Sequence, residues 1–503
     1  MGGFRNRIMS EQVRELELEI MRLNGLVVHL NGTIESLNDA IANKDAMIIS
    51  LQEQVKELTR RTTMNSTNSS KPPSSDGYNK PKPKSLRAKT GKKPGGQPGH
   101  KGHNIVLPHP PDETLDHIPD KCSTCPHLIE CASNGVFFCE ESRYVIEAVM
   151  TTKVIEHRRM SAACPFENFD GNEPETGSFP ENVTAHIQYG HSFTALVGIL
   201  DAYGAMSDSR ISDILCGFFG VTICPGTIVN KTAECAEKVS GILHEIEERI
   251  REARVKHSDE TGIRVGGGLY WAHTASTEMY TRLHLDRKRG IDGIEAAGIL
   301  PRSKGVVVHD CWPSYWKMDH LEHATCGAHF LRELNGIEEM EPDHTWPGMF
   351  KELLLDMKSA KERAIAEGKT NLEPERLKEF EDRYDRIIQK AEEECPPARI
   401  VQGKRGRYIK RGKEGSLIFR LKEYRMEVTR FVYEADVPFD NNLAERDIRI
   451  MKPKLKVSGC FRSEEGAIAY LDIMSYFGTA TKHDISAFDA MIAALEGRGY
   501  IVL

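Results

Sequence analysis

The chain has 503 residues, 67 Lys and Arg against 74 Asp and Glu, and a hydrophobic fraction of 39%. That length accommodates several domains and a core that needs no disulfide staples. No apolar run approaches the ~18 residues of a membrane span, and Met1–Arg7 lacks the apolar core of a signal peptide, so a cytoplasmic protein without membrane contact is expected.

The twelve cysteines are scattered from Cys122 to Cys460, a spread that suits reduced thiols or a metal better than a disulfide framework. The formal net charge of −7 hides an asymmetry. Lys71–His103 holds nine Lys/Arg and one acid, leaving about −15 for the rest. A basic arm on an acidic body points to a nucleic acid or another polyanion as partner.

The first element is a heptad repeat over residues 10–61. Val13, Ile20, Val27, Ile34, Ile41, Ile48 and Val55 recur every seven residues. Leu16, Leu23, Leu30, Leu37, Leu51 and Leu58 follow by three, with Lys44 interrupting the second series. β-Branched residues at a and leucine at d favour a parallel two-stranded coiled coil, hence a homodimer. The strict 3.5-residue period separates this pattern from a helix packed on its own globule.

Residues 62–111 read as a basic linker. Lys71–His103 contains six Pro and six Gly, with Leu86 the only aliphatic residue larger than Ala, too little to repay the entropy of folding. Residues 112–176 regain apolar residues and hold five cysteines. Cys122-x2-Cys125 is the kind of knuckle that offers two thiolates to zinc. Cys164 is the natural third ligand; Cys131, Cys139, His127 or His157 is the fourth, and buried free thiols are the alternative. Residues 177–250 read as a helical, DNA-binding-like domain. In it an apolar helix ends at Gly220 and Pro225 starts another, a helix-turn-helix outline with a long turn.

From Val255 the pattern turns strand-like, with Asp259 inside the first run and hairpin spacing through Tyr270–Thr274 and Met279–Leu285. Gly305–Val308 continues as a short, fully apolar strand of the kind buried in parallel sheets, and Asp310 ends it. Catalytic groups gather at the carboxyl edge of such sheets, and two acids on successive strands carry more weight than one capping residue. A third acid, Glu445, falls on a helix expected to be capped at Asp440 or Asn441 and stopped by Pro453. Arg449 and Lys452 lie on its face, and Arg446–Arg462 has six Lys/Arg against one acid.

These residues resemble the insertion-sequence-66 family, the TnpC-type DDE transposases. The resemblance rests on the Asn68–Asp76 and Gly95–His103 segments, Cys122-x2-Cys125, Tyr189-Gly190, Gly220–Ile228, His257–Thr261 and Cys326-x2-His329. Its most specific element is Asn441-Asn442-x2-Glu445-Arg446, followed by Gly459 and Gly466. One departure is plain: the second C-x2-C usual in the family is replaced by Cys164 alone.

The resemblance implies a multidomain α/β protein with an RNase H-like catalytic core over 251–335 and 436–503, interrupted by a helical insertion at 336–435. Asp259, Asp310 and Glu445 would form the DDE triad and hold two Mg²⁺ or Mn²⁺ ions for phosphoryl transfer. Candidate zinc ligands are Cys122, Cys125, Cys131 and Cys164. Arg446, Arg449 and Lys452, with Lys92 and Lys93 of the linker, would contact DNA, while His257, His309 and His329 read as structural or DNA-contacting. The implied partners are terminal inverted repeats, target DNA, a second copy through the coiled coil, and accessory transposition proteins, at the nucleoid. Two other classes compete. A dimeric sequence-specific DNA-binding regulator would leave the three acids unexplained, and an RNase H-like nuclease without strand transfer would not need the long rod.

Overall fold

The computed structural model describes residues 2–65, 68–69, 109–137, 139, 141–146, 150–162, 175–395, 398–403 and 406–499. Mixed α/β in composition, the chain divides into two units, Met1–Lys84 with Ala324–Asp440 and Ser85–His323 with Asn441–Leu503.

In the first unit the heptads form one continuous helix, α1, Gly2–Thr63. No proline interrupts it, and its a and d residues from Val13 to Leu58 all stand exposed. Downstream, helices Gly327–Met340, Trp346–Ala366, Pro374–Glu394, Gly412–Glu423 and Arg425–Tyr433 bury Phe330, Trp346, Phe350, Phe380, Tyr384 and Leu421 among them. Phe350 and Tyr384 meet edge to face at 5.0 Å, and the Tyr384 hydroxyl donates to the Leu421 carbonyl at 2.5 Å. Large aromatic residues set the packing here, with the polar tips of Tyr384 and Trp346 both satisfied. A short antiparallel hairpin, Arg399–Gly403 with Gly406–Lys410, precedes the last two helices.

The second unit holds a mixed sheet, apart from Ala324 and Thr325 at the end of its edge strand. Its strands are β1 (Val255–Val265), β2 (Gly268–Ser276), β3 (Thr281–Asp286), β4 (Val306–His309) and β5 (Glu322–Thr325), in the order β3-β2-β1-β4-β5. β1 and β2 are joined by Gly266 and Gly267 alone, at φ +56° and +80°. Positive φ at both central residues is what a tight hairpin turn matching the strand twist demands, and glycine takes it without steric cost. β1–β2 and β2–β3 are antiparallel, whereas β4 joins β1 in parallel, with Val255 opposite Val306 and His257 opposite Val308. All four β4 residues are buried, the three valines as an apolar run in a parallel strand requires and His309 on hydrogen bonds.

The helices of this unit include α2 (His191–Gly198), α3 (Asp208–Phe219), α4 (Pro225–Glu252), α5 (Asn442–Arg449), α6 (Met451–Ser458), α7 (Glu464–Lys482) and α8 (Ala487–Leu495), of which α4, α5 and α7 pack directly on the sheet. Ile246 and Ile250 of α4 and Tyr476 and Phe477 of α7 share one core with Ala272, Leu283 and Leu285 of the sheet. A smaller cluster gathers Val307 with Ile294, Leu300, Tyr315, Met318 and Leu321. Gly220 ends α3 in the left-handed conformation and Pro225 opens α4.

One local expectation fails. The helix bearing Glu445 ends at Arg449, before Pro453, and Pro453 lies inside the first turn of α6. A first-turn residue has no intrahelical acceptor for its N–H, so proline is tolerated there and does not stop the helix.

Candidate active site

Asp259 sits in the middle of β1, where strand alternation sends it and Glu260 to opposite faces. Asp310 immediately follows β4, which runs parallel to β1. Glu445 lies one turn into α5 and is nearly buried. All three belong to the same unit.

Two anchors fix α5 against the sheet. At its N-terminus the buried Asn441 donates from Nδ2 to the Ser258 carbonyl at 2.8 Å, and its Oδ1 lies 2.9 Å from His257 Nδ1. Near its C-terminus Asp447 accepts from Ser276 (2.7 Å), Thr281 (2.8 Å) and Lys482 (2.7 Å). Glu445 stands between these anchors. Asp447, the other acid of the helix, is thereby committed to holding it in place.

Neighbouring charges act on Asp259 and Asp310. The Asp259 carboxyl is held well above its ordinary range by burial first, then by the charges of Glu260, Asp310 and Glu445, against the opposing hydrogen bond from the Glu260 amide. Asp310 is pushed up to about 6 by burial and by Glu260, opposed by the Trp312 amide and by Arg289. Like charges in a partly dry site disfavour ionisation in this way. Lys452 is shifted down by burial and by Arg449, while Asp259 and Glu445 pull it back up.

Glu260 was not singled out from sequence, yet it is central to this environment. Its side chain is fully buried and accepts from Arg289 (2.9 Å) and from the Tyr315 hydroxyl (2.8 Å). The Arg289 guanidinium lies 3.7 Å from the centre of the Trp312 ring and 5.0 Å from that of Trp271, a cation–π arrangement that keeps it beside Asp310. An acid immediately after Asp259 in a buried strand was the available signal. Asn441 was visible only as part of a motif, because its two contacts reach back more than 180 residues.

The basic residues separate into three states. Arg446 and Arg449 are exposed and Lys452 is partly buried. Arg449 donates to Glu445 at 2.5 Å, so one expected DNA contact is engaged with a candidate metal ligand. Lys454, counted in the same basic run, is buried and bonded to Asp201 and to the Met206 carbonyl, which removes it from the surface. Lys92 and Lys93 lie outside the described residues.

In the cysteine-containing module, Cys122, Cys125 and Cys131 are partly exposed free thiols. The Cys125 amide donates to the Cys122 carbonyl at 3.1 Å, a tight turn. Cys164 lies outside the described residues. Among the described residues of this module, no three side chains of His, Cys, Asp or Glu bring ligand atoms within 4.8 Å of one another. His257 and His309 are buried on hydrogen bonds, and His329 lies in the first turn of the helix Gly327–Met340.

The model of the Transposase IS66 family matches residues 186–469, a span that contains Asp259, Asp310, Asn441 and Glu445. The chain belongs to the IS66 family of transposases. A second family model, of a family of unknown function, matches residues 7–105. No curated protein matches the chain. The IS66 match thus spans the sheet, helices α2 to α6, the start of α7 and the intervening segment of the other unit, while α1 from residue 7 and the linker as far as residue 105 fall under the second. Among the described residues no helix of this IS66-family protein is long and apolar enough to cross a membrane.

Proposed function

We propose that this IS66-family protein is a DNA transposase that cleaves the ends of an insertion sequence and joins them to target DNA, with Asp259, Asp310 and Glu445 as its DDE triad. The observation that carries the reading is their placement: Asp259 on β1, Asp310 just after the parallel β4, and Glu445 on a helix tied to β1 through Asn441, with Asp310 and Glu445 both raising Asp259. The sheet order β3-β2-β1-β4-β5, with β4 parallel to β1, supports an RNase H-like core over 251–335 and 436–503. The helices between Gly327 and Tyr433 support a helical insertion at 336–435.

The donor set fits Mg²⁺ or Mn²⁺. It consists of hard carboxylate oxygens, and their mutual repulsion leaves a site in which a divalent cation relieves an unfavourable accumulation of charge. Two such ions, when bound, supply the activation of the attacking oxygen and the stabilisation of the leaving one. The chain's own residues supply position and charge. Asp259, Asp310 and Glu445 hold the cations, and Asn441 and Asp447 keep the Glu445 helix against the sheet. Glu260 with Arg289 sets the charge around Asp310. Exposed Arg446, with Arg449 and Lys452, binds phosphates of the DNA backbone, as do Lys92 and Lys93 of the basic linker.

The exposed a and d seam of α1 supports a parallel dimer over residues 10–61, which gives one assembly two active sites for the two ends of the element. In this reading residues 62–111 tether the rod. Zinc held by Cys122, Cys125, Cys131 and Cys164 would brace the module at 112–176, and the basic tether with that module or with the helical domain at 177–250 would recognise the terminal inverted repeats. Accessory transposition proteins complete the partner set.

The test is a nicking assay with Mg²⁺ on duplexes carrying the element's own end sequence, comparing wild type with Asp259→Asn. Metal-dependent nicking at the end by wild type alone supports the reading. End binding without nicking by either protein would favour a DNA-binding regulator.

A further inference from the structure

The backbone turns sharply just after Asp310. Cys311 adopts φ +69°, a left-handed conformation that is unfavourable for a residue with a side chain. Two amides at this turn are directed at side chains. Cys311 N–H donates to His309 Nδ1 at 3.1 Å, and Trp312 N–H donates to Asp310 Oδ1 at 3.0 Å.

His309 is fully buried. Because its Nδ1 accepts, its Nε2 carries the hydrogen and donates to His323 Nδ1 at 3.1 Å. His323 in turn donates from Nε2 to the Met318 carbonyl at 3.3 Å. One tautomer at each ring satisfies the whole chain of bonds. Tyr315 stacks on the His309 ring with centroids 4.7 Å apart, and Trp316 meets it edge-on at 4.9 Å, so the imidazole cannot swing away.

We infer that the His309–His323 pair is a positioning device for Asp310: the His309 Nδ1 acceptor holds Cys311 in its left-handed turn, and that turn presents the Trp312 amide that orients the Asp310 carboxylate. The inference rests on the reading of Asp310 as a metal ligand. An ordinary core histidine would contribute packing alone, and substitution separates the two roles. Asparagine carries Oδ1 on Cγ, as histidine carries Nδ1, and therefore keeps the acceptor. Glutamine moves its polar group one bond further out, and phenylalanine keeps the ring without the acceptor.

The experiment is Mn²⁺ binding to the full-length protein, followed by the free-ion EPR signal, with thermal unfolding measured in parallel. His309→Phe and His309→Gln are expected to weaken Mn²⁺ binding by about 10–100-fold, the usual effect of losing a residue that orients a ligand. His309→Asn is expected to stay within about threefold of wild type, since the acceptor that orients the turn is retained. Wild-type affinity in His309→Phe, or equal weakening by Asn and Gln, overturns the inference. Should His309→Phe not fold, the Asn and Gln contrast decides alone. Asp310→Asn separates the layers. If it leaves Mn²⁺ binding unchanged, the ligand reading fails and the inference with it. If Asp310→Asn weakens binding while the His309 series does not, only the positioning role is overturned.

Discussion

Asn441 and Ser258 are joined by a buried hydrogen bond of 2.8 Å, side-chain amide to backbone carbonyl, across 183 residues of chain. The bond connects the residue before Asp259 to the start of the helix that carries Glu445. The distance between those two carboxylates is therefore set by backbone held on both sides. Replacing Asn441 by Ala leaves the Ser258 carbonyl without this donor, a loss of about 1–3 kcal/mol for a buried group. The expected result is a melting temperature lower by about 2–10 °C and nicking reduced by about 10–100-fold, as for other losses of a ligand's support. Calorimetry and the end-nicking assay measure both. A lower melting temperature with undiminished nicking would make the bond purely structural.

Glu445→Gln is expected to abolish cleavage and leave end binding intact, because the amide keeps the shape and loses the charge that holds a cation. Chelation of divalent ions from the wild type should reproduce that pattern. Gel-shift and nicking assays run on the same samples read both, and loss of DNA binding in Glu445→Gln would undermine the separation of the two tasks.

Arg449 occupies Glu445 through a 2.5 Å contact while half of its own side chain is exposed. Such a pair is worth at most about 1 kcal/mol, so a divalent cation outcompetes it and frees the guanidinium for a phosphate. Arg449→Ala should therefore bind Mn²⁺ up to about fivefold more tightly, the equivalent of that 1 kcal/mol. The same variant should bind DNA more weakly, with a salt dependence shallower by about 0.9 in log–log slope for one lost phosphate contact. Unchanged Mn²⁺ affinity would remove Arg449 from the competition.

His284, on β3 opposite His273, has its pKa pushed down to about 4 by burial, then by Arg282 and His273. An unfolded histidine binds a proton near pH 6.5. Below that pH the unfolded chain takes up protons that the folded one refuses, so stability is full above about 6.5 and is lost as the pH falls towards 4. Substituting His284 by Gln should flatten the fall in melting temperature across that window. An identical fall would place the acid sensitivity elsewhere.

Wild type is expected to sediment as a dimer, whereas a triple alanine substitution at Leu23, Leu30 and Leu37 should yield monomer by removing three d layers of the seam. Lys44→Leu fills the one polar d position and should raise the melting temperature of the rod. A wild-type monomer at micromolar concentration would defeat the coiled-coil reading.

Periodicity made much of this structure legible. The heptads announced α1, the strand-like run from Val255 announced β1, and the apolar Val306–Val308 announced a buried strand. The strand and helix pattern made candidates of Asp259, Asp310 and Glu445, and the resemblance implied the triad that is proposed for them. What escaped was whatever depends on contacts across long stretches of chain. Glu260 looked like an ordinary neighbour of Asp259 until Arg289 and Tyr315 were found on it. Lys454 looked like surface charge because nothing near it in sequence reveals Asp201. Pro453 misled for a local reason, since a proline reads alike whether it follows one helix or opens the next.

The order in which the three acids occur along the chain bears on synthesis. Asp259 and Asp310 are made early, and Glu445 follows only after the segment Ala324–Asp440. At about 5–20 residues per second, ribosomes need many seconds between the second acid and the third. On the proposed reading a nascent or prematurely terminated chain already carries the pairing helix but not a complete catalytic triad. Such fragments would pair with finished copies and silence them, so errors late in translation would restrain transposition, not provoke stray cuts.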